Sequence, residues 1–212
     1  FPGTGYLELA RAVCSSALAI ANVGLRAVFL VQPLPLQVDD LWVQCAVGST
    51  DFEITSGSLE VVAFQDGTIH CKGEHLLVTA QPSQLLNLCE LRRSSTHCMA
   101  TQPMYVNFHV VGLHYGPEFR RLNQIWVSNS CKGVLATLLD PAATQSMYLH
   151  PANLDCTQHL ETFVPPAQEA GGSGPHLPFA YDETVLGSAS LQMHSVRSLR
   201  AQAPRLLLLI PT

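Results

Sequence analysis

Charge is what this sequence has least of. Of its 212 residues only 13% are charged, with 11 Lys and Arg against 16 Asp and Glu, about half of the ~25% usual in a soluble domain. So sparse a solvated surface implies that a partner or neighbouring domains cover part of the chain. Basic clusters do not extend beyond Arg92-Arg93 and Arg120-Arg121. A nucleic-acid binder shows a basic stripe, so that class is excluded. The longest aliphatic run, Leu206 to Ile210, falls far short of the roughly 18 to 20 residues that span a bilayer, and no membrane partner is expected. Cys14, Cys45, Cys71, Cys89, Cys98, Cys131 and Cys156 form no C-x-x-C pair and no metal-like spacing with the nine histidines. A zinc site or a disulfide framework is not expected; reduced, mostly buried thiols in a cytoplasmic compartment are. The chain opens at Phe1 with no initiator Met, basic n-region or cleavage signal. It is expected to be a cut through a longer polypeptide.

What is there is apolar. A hydrophobic share of 47% and a mean hydropathy of +0.20 exclude a disordered chain. The length suits one full core or two small modules. From Thr4 to Ala21, residues Leu7, Ala10, Cys14, Ala17 and Leu18 recur at helical spacing, which predicts a long helix wrapped by other structure. Thr4 is placed to cap it, and Glu8 lies in its first turns, where negative charge suits the helix dipole. Runs dense in Val, Ile, Leu, Phe and Thr then predict strands at Val23–Leu30, Leu41–Val47, Phe52–Phe64 and Thr68–Val78, with Asp66-Gly67 as a hairpin turn. Farther on, the pattern predicts a short helix at Tyr105–Val111, strands at Gln124–Ser128 and Gly133–Leu139, and a second proline-opened helix from Pro151 to about Phe163, stopped by Pro165-Pro166. Ala167–Pro175 reads as a flexible loop, and Leu177–Arg200 returns to strand character. The plan is α+β: a module at 1–80, a linker at 81–103 with a short helix near Leu85–Leu91, and a module at 104–212.

Three stretches, in order, carry a resemblance. Phe1-Pro2-Gly3-Thr4-Gly5-Tyr6-Leu7-Glu8-Leu9-Ala10, then Gly112-Leu113-His114-Tyr115-Gly116-Pro117-Glu118-Phe119, then Leu149-His150-Pro151-Ala152-Asn153-Leu154-Asp155-Cys156-Thr157-Gln158-His159 resemble the signature stretches of the dehydratase domain of modular polyketide synthases. Leu177-Pro178-Phe179 is similar to the segment that opens a late strand there. The resemblance implies a double hot-dog fold, two helix-in-sheet modules sharing one acyl tunnel. It implies loss of water from a β-hydroxyacyl chain held as a thioester on the phosphopantetheine arm of an acyl carrier protein. No metal or organic cofactor is implied. The partners would be the carrier protein, neighbouring ketosynthase, acyltransferase and ketoreductase domains, and a second copy of the chain in a homodimer.

That reaction needs a base for the α proton, an acid for the departing hydroxyl, and donors for the thioester oxygen. By the resemblance Asp155 is the acid. His159, at i+4 on the same helical face, would orient it. The N–H groups around Gly3 and Thr4 are candidate donors, because free amides and the positive end of the helix dipole coincide there. Gly3 would also admit the substrate close to the backbone. Tyr115, Gly116 and Pro117 would line the tunnel with Phe119 as a wall, although Gly-Pro between apolar residues is also an ordinary turn. His114 and His150, each taken alone, read as structural. The family's base is a histidine nine residues before the proline matching Pro2, which places it outside this sequence. The fragment alone is therefore expected to be inactive. The C-terminal stretch departs as well, since Ala201–Thr212 lacks the alternating strand that closes the second module, and Leu206–Ile210 is its expected remnant. The alternatives are a non-catalytic double hot-dog retained for docking, a product-template or double-bond-shifting relative, and a stand-alone lipid dehydratase.

Overall fold

The computed structural model describes residues 1–37, 39–58, 67–78, 93, 97–128, 133–139, 147, 149–163, 179–185 and 206–209. Helix α1 (Gly3–Leu18) is followed by β1 (Val23–Leu30), β2 (Leu41–Val47), β3 (Asp51–Ser58) and β4 (Thr68–Leu77). These strands pair antiparallel in the order β2-β3-β4-β1. Their inward residues Leu25, Val28, Ile54 and Cys71 are fully buried and pack with Leu7, Ala10 and Cys14 of α1. The sheet thus curls round the apolar face of the helix. A break in the β1 register between Arg26 and Phe29, where Ala27 takes φ 48, is a bulge that sharpens this curl. Gly73 is required by the same packing. A Cβ there would lie 3.0 Å from the Phe52 ring and 3.0 Å from the Val28 Cα.

Strand β8 (Ala180–Val185) joins the first sheet beside β1, and the second unit holds β5 (His97–Ala100), α2 (Gln102–Val110), a 3-10 turn at Pro117–Phe119, β6 (Leu122–Ser128), β7 (Gly133–Leu138), α3 (Pro151–His159) running into a 3-10 turn at Leu160–Phe163, and β9 (Leu206–Leu209). Its sheet has the order β5-β6-β7-β9, with β9 parallel to β7. Its core joins Met104, Tyr105 and Phe108 of α2 to Leu122, Ile125, Val134, Ala136 and Leu138 of the sheet and to Cys156 and Leu160 beneath. The two helix-in-sheet units make the α+β double hot-dog.

The predicted strands at Val23–Leu30 and Leu41–Val47 stand with those bounds, and the others shift by a residue or two where they are described. Four expectations change. Helix α1 ends at Leu18 rather than Ala21, because Ala19 turns left-handed at φ 55 and its N–H closes back on Ser15 and Ser16. Thr4 is not the cap. Extended Pro2 precedes the first turn without a side-chain cap, and the Thr4 hydroxyl instead donates to the Pro151 carbonyl at 3.1 Å. Glu8 lies past the first turn, with its carboxylate held by Arg11 at 2.7 and 2.8 Å. The sheets also do not follow the predicted module boundaries. β5 lies inside the stretch expected to be linker, and β8 returns to the first sheet, antiparallel to β1. The expected helix at Leu85–Leu91, Asp66 of the hairpin, the end of the third strand beyond Ser58, Pro165-Pro166, the Ala167–Pro175 loop and most of Leu177–Arg200 lie outside the described residues.

No helix among the described residues is long and apolar enough to cross a membrane, and no cluster there of three or more His, Cys, Asp or Glu could hold a metal. Burial pushes the thiols up from 9.0, to about 11 at Cys14, about 12 at Cys71 and about 11 at Cys156. These thiols stay protonated in the fold while an unfolded chain begins to ionise near 9.0. Their contribution to stability is therefore intact at neutral pH and declines as pH rises from that value towards 11 to 12. Alkylation at ~pH 8 is expected to mark exposed Cys98 and to leave Cys14, Cys71 and Cys156 unmodified until denaturant is added. Peptide mapping checks this, and rapid labelling of Cys14 in the folded chain would contradict it.

Candidate active site

Helix α3 is polar in sequence yet buried. Asn153, Thr157 and His159 are each only 2% exposed and Asp155 is 8% exposed, an unusual load for one short helix inside a protein. Its start explains part of the arrangement. Pro151 fits the first turn, and His150 caps the helix, its Nδ1 accepting from the Ala152 N–H at 3.2 Å. Leu154 joins the core around α1, whereas Cys156 and Leu160 enter the core around α2. The helix therefore bridges the two cores. Thr157 donates to the Leu154 carbonyl at 2.6 Å, and the Gln158 amide donates to the Tyr181 hydroxyl on β8.

Asp155 and His159 meet as the i, i+4 spacing predicted, with Oδ2 3.2 Å from Nε2. The imidazole sits in an aromatic box. Tyr115 meets it edge-on at 4.2 Å between centroids, with Phe108 at 5.3 Å and Tyr105 at 5.6 Å. On the far side of the ring the Tyr105 hydroxyl lies 3.5 Å from Nδ1. Burial and the neighbouring Asp155 and Cys156 push Tyr115 up to about 12, and burial pushes Tyr105 up further. Both phenols stay neutral hydrogen-bond groups. Such a site holds one carboxyl in place between neutral aromatic groups and can pass a proton to or from whatever lies against it.

The other predicted residues fall around this pair unevenly. Phe119 is half-buried, and its carbonyl lies 3.5 Å from the Tyr105 hydroxyl. Gly116 and Pro117 are exposed in the turn beside Tyr115. Thr4, in the first turn of α1, is bonded to Pro151 in the first turn of α3, about one turn of α3 from Asp155. The Gly5 N–H is taken by the Pro2 carbonyl at 2.9 Å, while the Gly3 and Thr4 N–H groups begin the helix and have no partner one turn earlier. The neighbour that comes close to Gly3 is Leu30, whose Cδ1 would lie 2.9 Å from a Cβ there. His114 is exposed and stacks on His109 at 4.2 Å. Sequence reasoning missed Tyr105 and Phe108. Their only signal was the i, i+3 spacing that puts two rings on one face of α2 just before the Gly-Pro turn.

A family profile described as the polyketide synthase dehydratase N-terminal domain matches residues 87–205, more than half of the chain. The chain belongs to the polyketide synthase dehydratase family. Among curated proteins, this dehydratase-family chain is 26% identical over 205 residues to polyketide synthase PksM and 24% identical over 198 residues to polyketide synthase PksN, both from Bacillus subtilis strain 168. Each alignment takes in 88% of this chain but only 5% and 4% of the relatives, so the chain spans about a twentieth of the length of the synthases it matches. Among solved structures, a trans-AT polyketide synthase dehydratase domain from Brevibacillus brevis superposes with a TM-score of 0.75 at 24% identity, covering 97% of this chain and 77% of that one. The dehydratase domain from the CurF module of curacin polyketide synthase gives 0.73 at 20% identity, covering 98% and 80%. At these identities the structural likeness establishes the shared fold.

Proposed function

We propose that this domain removes water from a β-hydroxyacyl thioester carried on the phosphopantetheine arm of an acyl carrier protein, giving the α,β-unsaturated thioester. The observation that carries this reading is the buried Asp155–His159 pair on a polar helix between two cores, one turn from the contact with the start of α1. Asp155 gives its proton to the β-hydroxyl as the C–O bond breaks, and water leaves. A base takes the α proton, and the C–H electrons become the new double bond. The Gly3 and Thr4 N–H groups, at the positive end of α1, stabilise the negative charge that gathers on the thioester oxygen in between. Tyr115 packs on His159 and lines the approach to the pair together with Gly116, Pro117 and Phe119. The base is a histidine of the parent polypeptide, nine residues before Pro2. The reaction needs no metal or organic cofactor, and the docking partners are the carrier protein, the adjoining synthase domains and a second copy of the domain.

The CurK dehydratase of the curacin synthase lends support. Solved inactive mutants of it include one with aspartate changed to asparagine and one with histidine changed to phenylalanine. The direct test extends the chain upstream through the histidine, presents a β-hydroxyacyl group on a carrier protein, and follows the mass of the acyl arm. Loss of one water is expected from the extended protein, with negligible product from the 212-residue chain. No loss from the extended protein would favour a docking domain over an enzyme. Ready product from the 212-residue chain would overturn the account of the base.

A further inference from the structure

Two acceptors contend for one proton beside His159. The Tyr105 hydroxyl lies 3.5 Å from the Phe119 carbonyl and 3.5 Å from Nδ1 of His159. It has one hydrogen to donate. The two acceptors are not equivalent. The Phe119 carbonyl is also within 4.0 Å of the Cys156 thiol, a second donor. Among the described residues, Nδ1 has no other partner. Buried beneath three aromatic rings with the imidazole only 2% exposed, a bare Nδ1 would pay the full cost of desolvation.

The opposite face of the ring decides the direction. Nε2 makes no aligned hydrogen bond among the described residues but stands 3.2 Å from Asp155 Oδ2, so a small rotation of the carboxyl completes one. Were Tyr105 to donate to Phe119, Nδ1 would have to carry the ring proton. A bare Nε2 would then face a carboxyl oxygen, lone pair against lone pair. Only a proton on Oδ2 would relieve that, and a proton held there by the imidazole is withheld from a substrate.

We infer that Tyr105 is a positioning residue for Asp155: its hydroxyl donates to Nδ1 of His159, the neutral imidazole keeps its proton on Nε2 against Oδ2, and Oδ1 is left to carry the proton offered to the substrate. The inference rests on the reading of Asp155 as the acid. Once Oδ1 has given up its proton, the same Nε2–H holds the carboxylate that remains. Because burial keeps the phenol neutral, the donor persists across the neutral range.

Nitrogen NMR of the histidine-labelled 212-residue chain tests this without any turnover. At mildly alkaline pH, His159 is expected to show an unprotonated, hydrogen-bonded Nδ1 and a protonated Nε2. In Tyr105→Phe the Nδ1 signal is expected to move further downfield, towards that of an unbonded ring nitrogen. A proton on Nδ1 in the wild-type chain overturns the inference, whether or not the variant folds. So does an unmoved Nδ1 signal in folded Tyr105→Phe. If the extended protein fails to dehydrate while Nδ1 behaves as expected, the role given to Asp155 falls and the bond from Tyr105 to His159 stands.

Discussion

Replacing Asp155 with asparagine is expected to lower dehydration by about 10²- to 10⁴-fold, the range over which a positioned general acid contributes. The test uses the protein extended upstream to take in the proposed histidine, with single-turnover loss of water as the readout. Asn is close in size to Asp and can still accept from His159 through its carbonyl oxygen, so the fold and the aromatic box should survive. What it lacks is a proton to release to the leaving hydroxyl. Binding of a saturated acyl carrier protein, which has no hydroxyl to lose, is expected to stay within about twofold, because a uniform-binding role is not assigned to the carboxyl. Wild-type turnover by Asp155→Asn would remove Asp155 from the mechanism and return the site to a structural reading.

The second large effect concerns stability. Glu8 and Arg11 form a bidentate pair on α1, at 2.7 and 2.8 Å, with the residues only 4% and 9% exposed. Replacing Glu8 with alanine removes two charge-assisted hydrogen bonds from a buried guanidinium. Hydrogen bonds to charged groups contribute about 1.5 to 3 kcal/mol each, so the loss is a large share of the stability of a domain this size. Chemical denaturation should show a midpoint well below wild type at an unchanged slope. Replacing both residues together with apolar side chains of similar volume is expected to recover most of that loss. A Glu8→Ala midpoint equal to wild type would show that the other contacts of Arg11 hold its charge without Glu8.

The elements most legible in the sequence were those whose apolar pattern is local. Val23–Leu30 and Leu41–Val47 are dense in β-branched and aliphatic residues between clear turn signals, and both form over those bounds. The end of α1 was not legible. An alanine seldom takes the left-handed conformation that Ala19 adopts at φ 55, so no glycine marks the stop. β5 escaped because four residues, His97–Ala100, carry too little pattern to stand out from a polar stretch, and their pairing with β6 is supplied by the sheet. In the site, Asp155 and His159 were visible because a helix converts a spacing of four into contact. Tyr105 comes from a different helix, 54 positions away from His159, and no periodicity reports a meeting at that range.

The return of β8 to the first sheet bears on how such a domain can be cut and recombined. Its pairing runs Gly24↔Val185 through Phe29↔Ala180, and Tyr181 is packed in the same core as Leu7 and Leu25. A graft that exchanged everything after residue 104 for the matching half of a relative would replace the edge of a sheet it was meant to leave alone. It would also replace Tyr181 and its bond to Gln158, on the helix that bears Asp155. Hybrid synthases built from this chain should therefore take it across whole, because the halves of its sequence are not the halves of its fold.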